Sequence, residues 1–218
     1  LGVAPETHRS WIRRRAREPA ILVVTKANSV STVHRATYLD YIGVKTFDPA
    51  GRVTGERRFI GLFTSSTYSA KPHEIPLLEQ KLRRVVDLIG VSPVSHDGKA
   101  LLHVLETYPR DELFQSSTAD LVRISRGVVN LYERRRVRVF LRRDPYRRFF
   151  SCLIYVPRDR YNTQARVRIE AILREELHGI ALESQVQISE STLARLHTLV
   201  RTDPEREVTA DAERIETL

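Results

Sequence analysis

Three strand-like stretches, a run of helical stripes and a strand-rich last third succeed one another along this chain. Ala20-Ile-Leu-Val-Val-Thr25 is a short apolar run of the kind that forms a buried strand. Thr37 to Phe47 alternates loosely and is rich in aromatic and β-branched residues, which suit a pleated, half-buried surface. Asp48-Pro49-Ala50-Gly51 supplies a turn, with proline presetting φ and glycine permitting positive φ. Arg52 to Thr64 then returns, so 37–64 is predicted to be a β-hairpin. Helices follow. Ile75, Leu78, Leu82, Val85, Val86 and Ile89 hold one face, and Gly90 stops them. Asp97 is expected to cap a shorter helix carrying Leu101, Leu102 and Leu105 that ends before Pro109. Ser117-Thr118-Ala119-Asp120 starts another, with Leu121, Ile124, Val128 and Tyr132 as its buried stripe.

In the last third, Val137–Leu141 and Phe149–Val156 flank Asp144-Pro145 as a second hairpin. Asn162 or Thr163 caps a helix whose Ala165, Ile169, Ile172, Leu173 and Leu177 share a face, closed by His178-Gly179. Leu182 to Ile188 alternates as a strand. Residues 192–202 fit either a helix or a strand by spacing. Strand is the better fit, because it completes a β-α-β-β order from Phe149 and, with a helix from about Pro204, the start of a ferredoxin-like unit. The fold class is therefore α+β.

Composition narrows the class of molecule. The 218 residues are 41% hydrophobic and 29% charged, as in globular chains, and no apolar run approaches the ~20 residues of a membrane helix. A lone Cys152 cannot form an internal disulfide, so a cytoplasmic setting is expected. The chain starts at Leu1, lacks methionine and ends in what reads as a helix stopped partway, which leads us to expect an internal piece of a longer protein. The net charge of +9 invites a nucleic-acid reading. The charges are scattered, however, and aromatics make up only 7%, with no stacking motif beside them, so nucleic acid is not the expected partner.

Candidate chemistry is sparse. The nine glycines form neither a dinucleotide fingerprint nor a phosphate loop, and no metalloprotease helix motif or thiolate zinc cluster exists. We therefore expect no catalytic residue, cofactor or metal in this segment. Thr25 to Arg35 is a dense polar stretch. Lys26, Asn28, Ser29, Thr32, His34 and Arg35 are the candidate ligand-binding residues, able to ring a small anion such as an amino-acid effector. A loop that bonds its own backbone has the same composition. His96-Asp97-Gly98-Lys99 brings acid, base and cation together but lacks a nucleophile, and reads as a turn and cap. Glu106 to Phe114 reads as a helix break with exposed charges and inward Tyr108, Leu113 and Phe114. The six arginines of 134–143 read as a solvated strand face with salt bridges, and Cys152, His103 and His197 as packing residues.

Longer blocks carry a resemblance. Thr25–Arg35, Tyr38–Lys45, Gly55–Ser65, Glu74–Leu78, Ser95–Leu102, Leu105–Phe114, Arg142–Pro145, Ser151–Thr163 and Ala194–His197, in that order, resemble the large bacterial NAD-specific glutamate dehydrogenases. The resemblance implies a parent that converts L-glutamate and NAD to 2-oxoglutarate, ammonia and NADH. It also implies that the catalytic lysine and NAD site lie in a C-terminal portion not included here, so that NAD is a cofactor of the parent alone. Residues 1–19 would be a basic arm and 20–115 a PAS-like β/α domain. Residues 116–136 would form a connecting helix, and 137–218 an ACT-like domain truncated at its C-terminal end. The expected partners are the rest of the parent chain and neighbouring subunits of a homo-oligomer, with an amino-acid effector possible. An amino-acid-binding sensor and a basic nucleic-acid-binding module are the alternative readings.

Overall fold

The computed structural model describes residues 8–33, 36–131, 136–188 and 191–218. In chain order these form α1 His8–Arg17, β1 Leu22–Val30, β2 Tyr38–Phe47, β3 Val53–Gly61, α2 Ser65–Ser69, α3 Pro76–Ile89, α4 His96–Thr107, α5 Arg110–Gln115 and α6 Thr118–Val129. They continue with β4 Arg138–Arg143, β5 Phe149–Pro157, α7 Thr163–Glu176, β6 Ala181–Gln187, β7 Leu193–Arg201 and α8 Ala212–Thr217. The class is α+β: a three-stranded antiparallel sheet, helices, then a four-stranded antiparallel sheet. The chain divides into two compact units, Leu1–Arg83 with Arg110–Ser117, and Arg84–Pro109 with Thr118–Leu218.

In the first unit the strand order is β1-β2-β3. The β2–β3 turn forms as its sequence requires. The Asp48 carboxylate accepts from the backbone N–H of Ala50 and Arg52 at 3.0 and 2.8 Å, and Gly51 takes φ 77°. Those bonds, from Arg52 above all, hold the Asp48 carboxyl below its ordinary range. β1 runs further than the apolar run suggested, through Val30, with an irregularity between Lys26 and Val30 where its register on β2 shifts. Thr25 to Val30 are thus strand residues, not a loop between strands. Lys45 on β2 donates to the carbonyls of Arg15 and Glu18 and so caps the end of α1.

In the second unit the strand order is β4-β5-β7-β6. Residues 193–201 are indeed a strand, paired antiparallel with both β5 and β6. β5 and β6 therefore run parallel with β7 between them, the split arrangement that a β-α-β connection through α7 produces. β4 fills the outer place beside β5, so four strands form although the β-α-β-β order from Phe149 supplies three. One sheet face packs Phe150, Cys152, Ile154, Leu196 and Val200 against Leu173 and Leu177, with Ile215 of α8 in the same core. On the other face Phe140 meets α6 so closely that a Cβ on Gly127 would stand 2.5 Å from its ring.

Helix ends depart from expectation in two places. Ser95, not Asp97, caps α4, its Oγ accepting from Gly98 N–H at 3.0 Å, and Asp97 lies in the first turn. α7 ends in a Schellman turn, with Gly179 N–H bonded to Arg174 O at 2.8 Å and His178 N–H to Glu175 O at 3.2 Å. The left-handed position is His178, φ 52°, rather than the glycine beside it. Gly179 is reserved for close packing, since a Cβ there would meet Val200 Cγ1 at 2.6 Å. Tyr132, expected on the α6 stripe, lies outside the described residues.

Candidate functional site

The polar half of β1 splits at its irregularity. Thr25, Lys26 and Ala27 are buried, while Asn28, Ser29 and Val30 are exposed. Lys26, at 1% exposure, places Nζ 2.7 Å from Asp40 Oδ1 and 2.7 Å from Asp111 Oδ2. Tyr68 Oη donates to Asp111 at 2.8 Å, and Phe63 N–H donates to Asp40 at 3.3 Å. One ammonium thus joins β1, β2 and α5. Burial opposes its charge, but the two carboxylates outweigh burial and hold the Lys26 pKa above its usual 10.5. Asp40 also sits above the ordinary carboxylate range, because burial outweighs an ammonium that it must share with Asp111.

Of the six candidate ligand residues, Lys26 is therefore engaged inside the unit. Asn28, Ser29 and Thr32 are at the surface, and His34 and Arg35 lie outside the described residues. Buried Ser31 bonds backbone in the manner of a turn, its Oγ donating to Val33 O at 2.6 Å and accepting from Val33 N–H at 3.2 Å. The pattern had no signal for Asp111. The stretch 106–114 read as exposed charge, yet Asp111 pairs with Lys26 and Glu112 is 1% exposed, while Tyr108, Leu113 and Phe114 are buried as expected.

Basic side chains recur at helix ends. Lys81 donates to the carbonyls of Leu113, Phe114 and Ser116 at 2.8, 2.9 and 3.1 Å, closing α5. Arg126 donates to Leu88 and Ile89 O at 3.1 and 3.3 Å, closing α3. Arg195 donates to Thr107 O at the end of α4. Cations there meet the carbonyls that a helix leaves unpaired and the negative end of its dipole. The arginines read as a solvated face around β4 are also partly inside. Arg142 is 6% exposed, 6.0 Å from the Phe149 ring centre, and Arg143 stands 5.3 Å from that of Phe150. Arg138 pairs with Glu216 at 2.9 Å. Arg134 and Arg135 lie outside the described residues.

His197 Nε2 lies 3.0 Å from Ser151 Oγ, both buried. His96 and Asp97 are 3.6 Å apart at the surface. Cys152 is buried. Among the described residues no cluster of His, Cys, Asp and Glu could hold a metal ion, and no helix is long and apolar enough to cross a membrane.

Comparison with known proteins bears on both the helices and the second sheet. Residues 75–134 match the family model of glutamate dehydrogenase helical motif 1, and 138–218 that of the glutamate dehydrogenase ACT2 domain. The NAD-specific glutamate dehydrogenases of Halomonas elongata and Pseudomonas aeruginosa are each 43% identical, over 91% and 92% of this chain. The chain belongs to the NAD-specific glutamate dehydrogenase family. That of Mycobacterium tuberculosis is 38% identical over 83% of the chain. The segment spans only 12% of the length of the first two relatives and 11% of the third. The ACT2 match covers the four-stranded sheet, α7 and α8. The helical-motif match covers α3 to α6.

Proposed function

We propose that this segment is a structural and regulatory part of an NAD-dependent glutamate dehydrogenase and performs no chemistry itself. The parent would oxidise L-glutamate with NAD to 2-oxoglutarate, ammonia and NADH in the cytoplasm, and the segment would pack against the rest of that chain and neighbouring subunits. The observation that carries this reading is the pair of family matches, ACT2 and helical motif 1, within a chain 38–43% identical to NAD-specific glutamate dehydrogenases. The internal chemistry agrees with it. Lys26, His197 and Cys152 are buried among their own neighbours, and Lys45, Lys81, Arg126 and Arg195 close helices. We propose the domain division accordingly, with the ACT-like domain from about residue 137.

The test is the full-length parent carrying Ile154→Asp, which puts a charge into the sheet core. A changed assembly mass or a changed glutamate saturation curve is expected. Wild-type mass together with wild-type kinetics would remove any structural or regulatory role.

A further inference from the structure

We propose that the free edge of β3 in the first unit takes an extended, acidic strand from elsewhere in the parent chain. The inference rests on the reading of this segment as part of a longer enzyme, and the segment spans only 12% of the length of its first two relatives. The sheet runs β1-β2-β3, so β3 is paired on one side only. From Gly55 to Gly61 its register on β2 is unbroken. An edge strand leaves about half of its backbone N–H and C=O groups pointing outward, and a regular one is a template for another strand. The opposite edge is less suited, because the register of β1 breaks between Lys26 and Val30, and such an irregularity blunts an edge.

The side chains of β3 define the occupant. Phe59 and Ile60 are 58% and 59% exposed, and as neighbours along a strand they project to opposite faces. Phe59 continues the row of Val24 and Ile42, and Ile60 the row of Thr25 and Tyr41. A helix laid on the sheet would cover one face and leave the other bare. A strand beside β3 covers both, because its own side chains alternate in the same way. Arg57 and Arg58 are exposed, while the one acid of β3, Glu56, already accepts from Tyr41 Oη and Arg58. The incoming strand therefore carries acidic residues near the two arginines and apolar ones beside Phe59 and Ile60. A second copy of β3 fits poorly. Antiparallel two-fold pairing over Gly55–Gly61 sets Arg58 opposite Arg58, and like charges directly opposite destabilise. A register that pairs Phe59 with Ile60 of the copy engages only Arg58 to Gly61 of each strand.

The experiment is hydrogen–deuterium exchange of the full-length parent, read by mass spectrometry on peptides covering Val53–Gly61 and Tyr38–Phe47. β2 is bonded on both sides and serves as the internal standard. In the parent the β3 amides are expected to exchange as slowly as those of β2. In the 218-residue chain about half of them should exchange faster, by roughly tenfold or more. β3 amides that outpace β2 by roughly tenfold in the parent itself would overturn the proposal, whether or not the shorter chain folds. Protection that vanishes when the parent is diluted to monomers would overturn it as well, because the strand would then come from another subunit. NADH formation is a separate readout. An active parent with an unprotected β3 sinks this proposal alone, and an inactive parent with a protected β3 sinks only the enzyme reading.

Discussion

Lys26 has exchanged its water for two carboxylates, Asp40 and Asp111, each 2.7 Å from its Nζ. Breaking a buried pair by deleting one partner costs about 3–5 kcal/mol, because the charge left behind stays buried. Lys26→Met should destabilise the first unit by that order in a urea melt, with Asp40→Asn a milder change. The pH dependence has a definite sign. Lys26 has its folded pKa raised above 10.5, so its contribution is complete below that value and is lost as pH rises through the raised pKa. Asp40, also raised, works the same way far lower, its contribution declining as pH climbs above 3.8. Urea melts between pH 8 and about 12 should therefore show an alkaline loss in the wild type that Lys26→Met lacks. Equal slopes would remove Lys26 from that account. His178 offers the opposite case. A non-glycine residue in the left-handed region costs about 1 kcal/mol, so His178→Gly should raise stability by roughly that amount. A drop in melting temperature would mean that the imidazole holds something that its backbone strain conceals.

At the scale of elements, the helices depend on side chains far away in sequence. Lys81 bonds three carbonyls at the end of α5, and charged hydrogen bonds are worth about 1.5–3 kcal/mol. Lys81→Met should cost at least one such increment and expose the α5 amides to faster hydrogen exchange. Unchanged exchange would show that α5 is held by Leu113 and Phe114 alone. Leu173→Ala in α7, a fully buried site, should cost about 2–5 kcal/mol. Both hairpins were legible in the sequence, because Asp48–Gly51 and Asp144–Pro145 are turn chemistry between alternating runs. β7 was legible only through the order of its neighbours, since Leu193, Leu196 and Val200 also fit a helical face. The polar half of β1 has the composition of a ligand-binding or self-bonded loop, because Lys26, Asn28 and Ser29 are polar side chains with hydrogen-bonding capacity. Its strand character comes from backbone pairing with β2. Ser95 and Asp97 are both good caps, and Ser95 takes the position, its Oγ accepting from the N–H of Gly98. The pairing of Lys26 with Asp111 spans 85 positions and leaves no local pattern at all.

On the scale of the whole molecule, the net charge of +9 is in part a consequence of construction. Lys45, Lys81, Arg126 and Arg195 each close a helix in their own unit, and Lys26 and Arg138 pair with acids. A basic balance arising this way predicts weak, salt-sensitive retention on nucleic acid rather than a specific complex. The matches to helical motif 1 and ACT2 cover α3 onward, and the relatives' identity extends the kinship over most of the chain. The central claim is that the chain is a non-catalytic part of a glutamate-oxidising enzyme. Its most direct test is glutamate-dependent NADH formation, measured side by side for the full-length parent and this segment. The account predicts NADH from the parent and none from the segment. NADH made by the segment alone, or a folded parent inactive with glutamate and NAD, would contradict it.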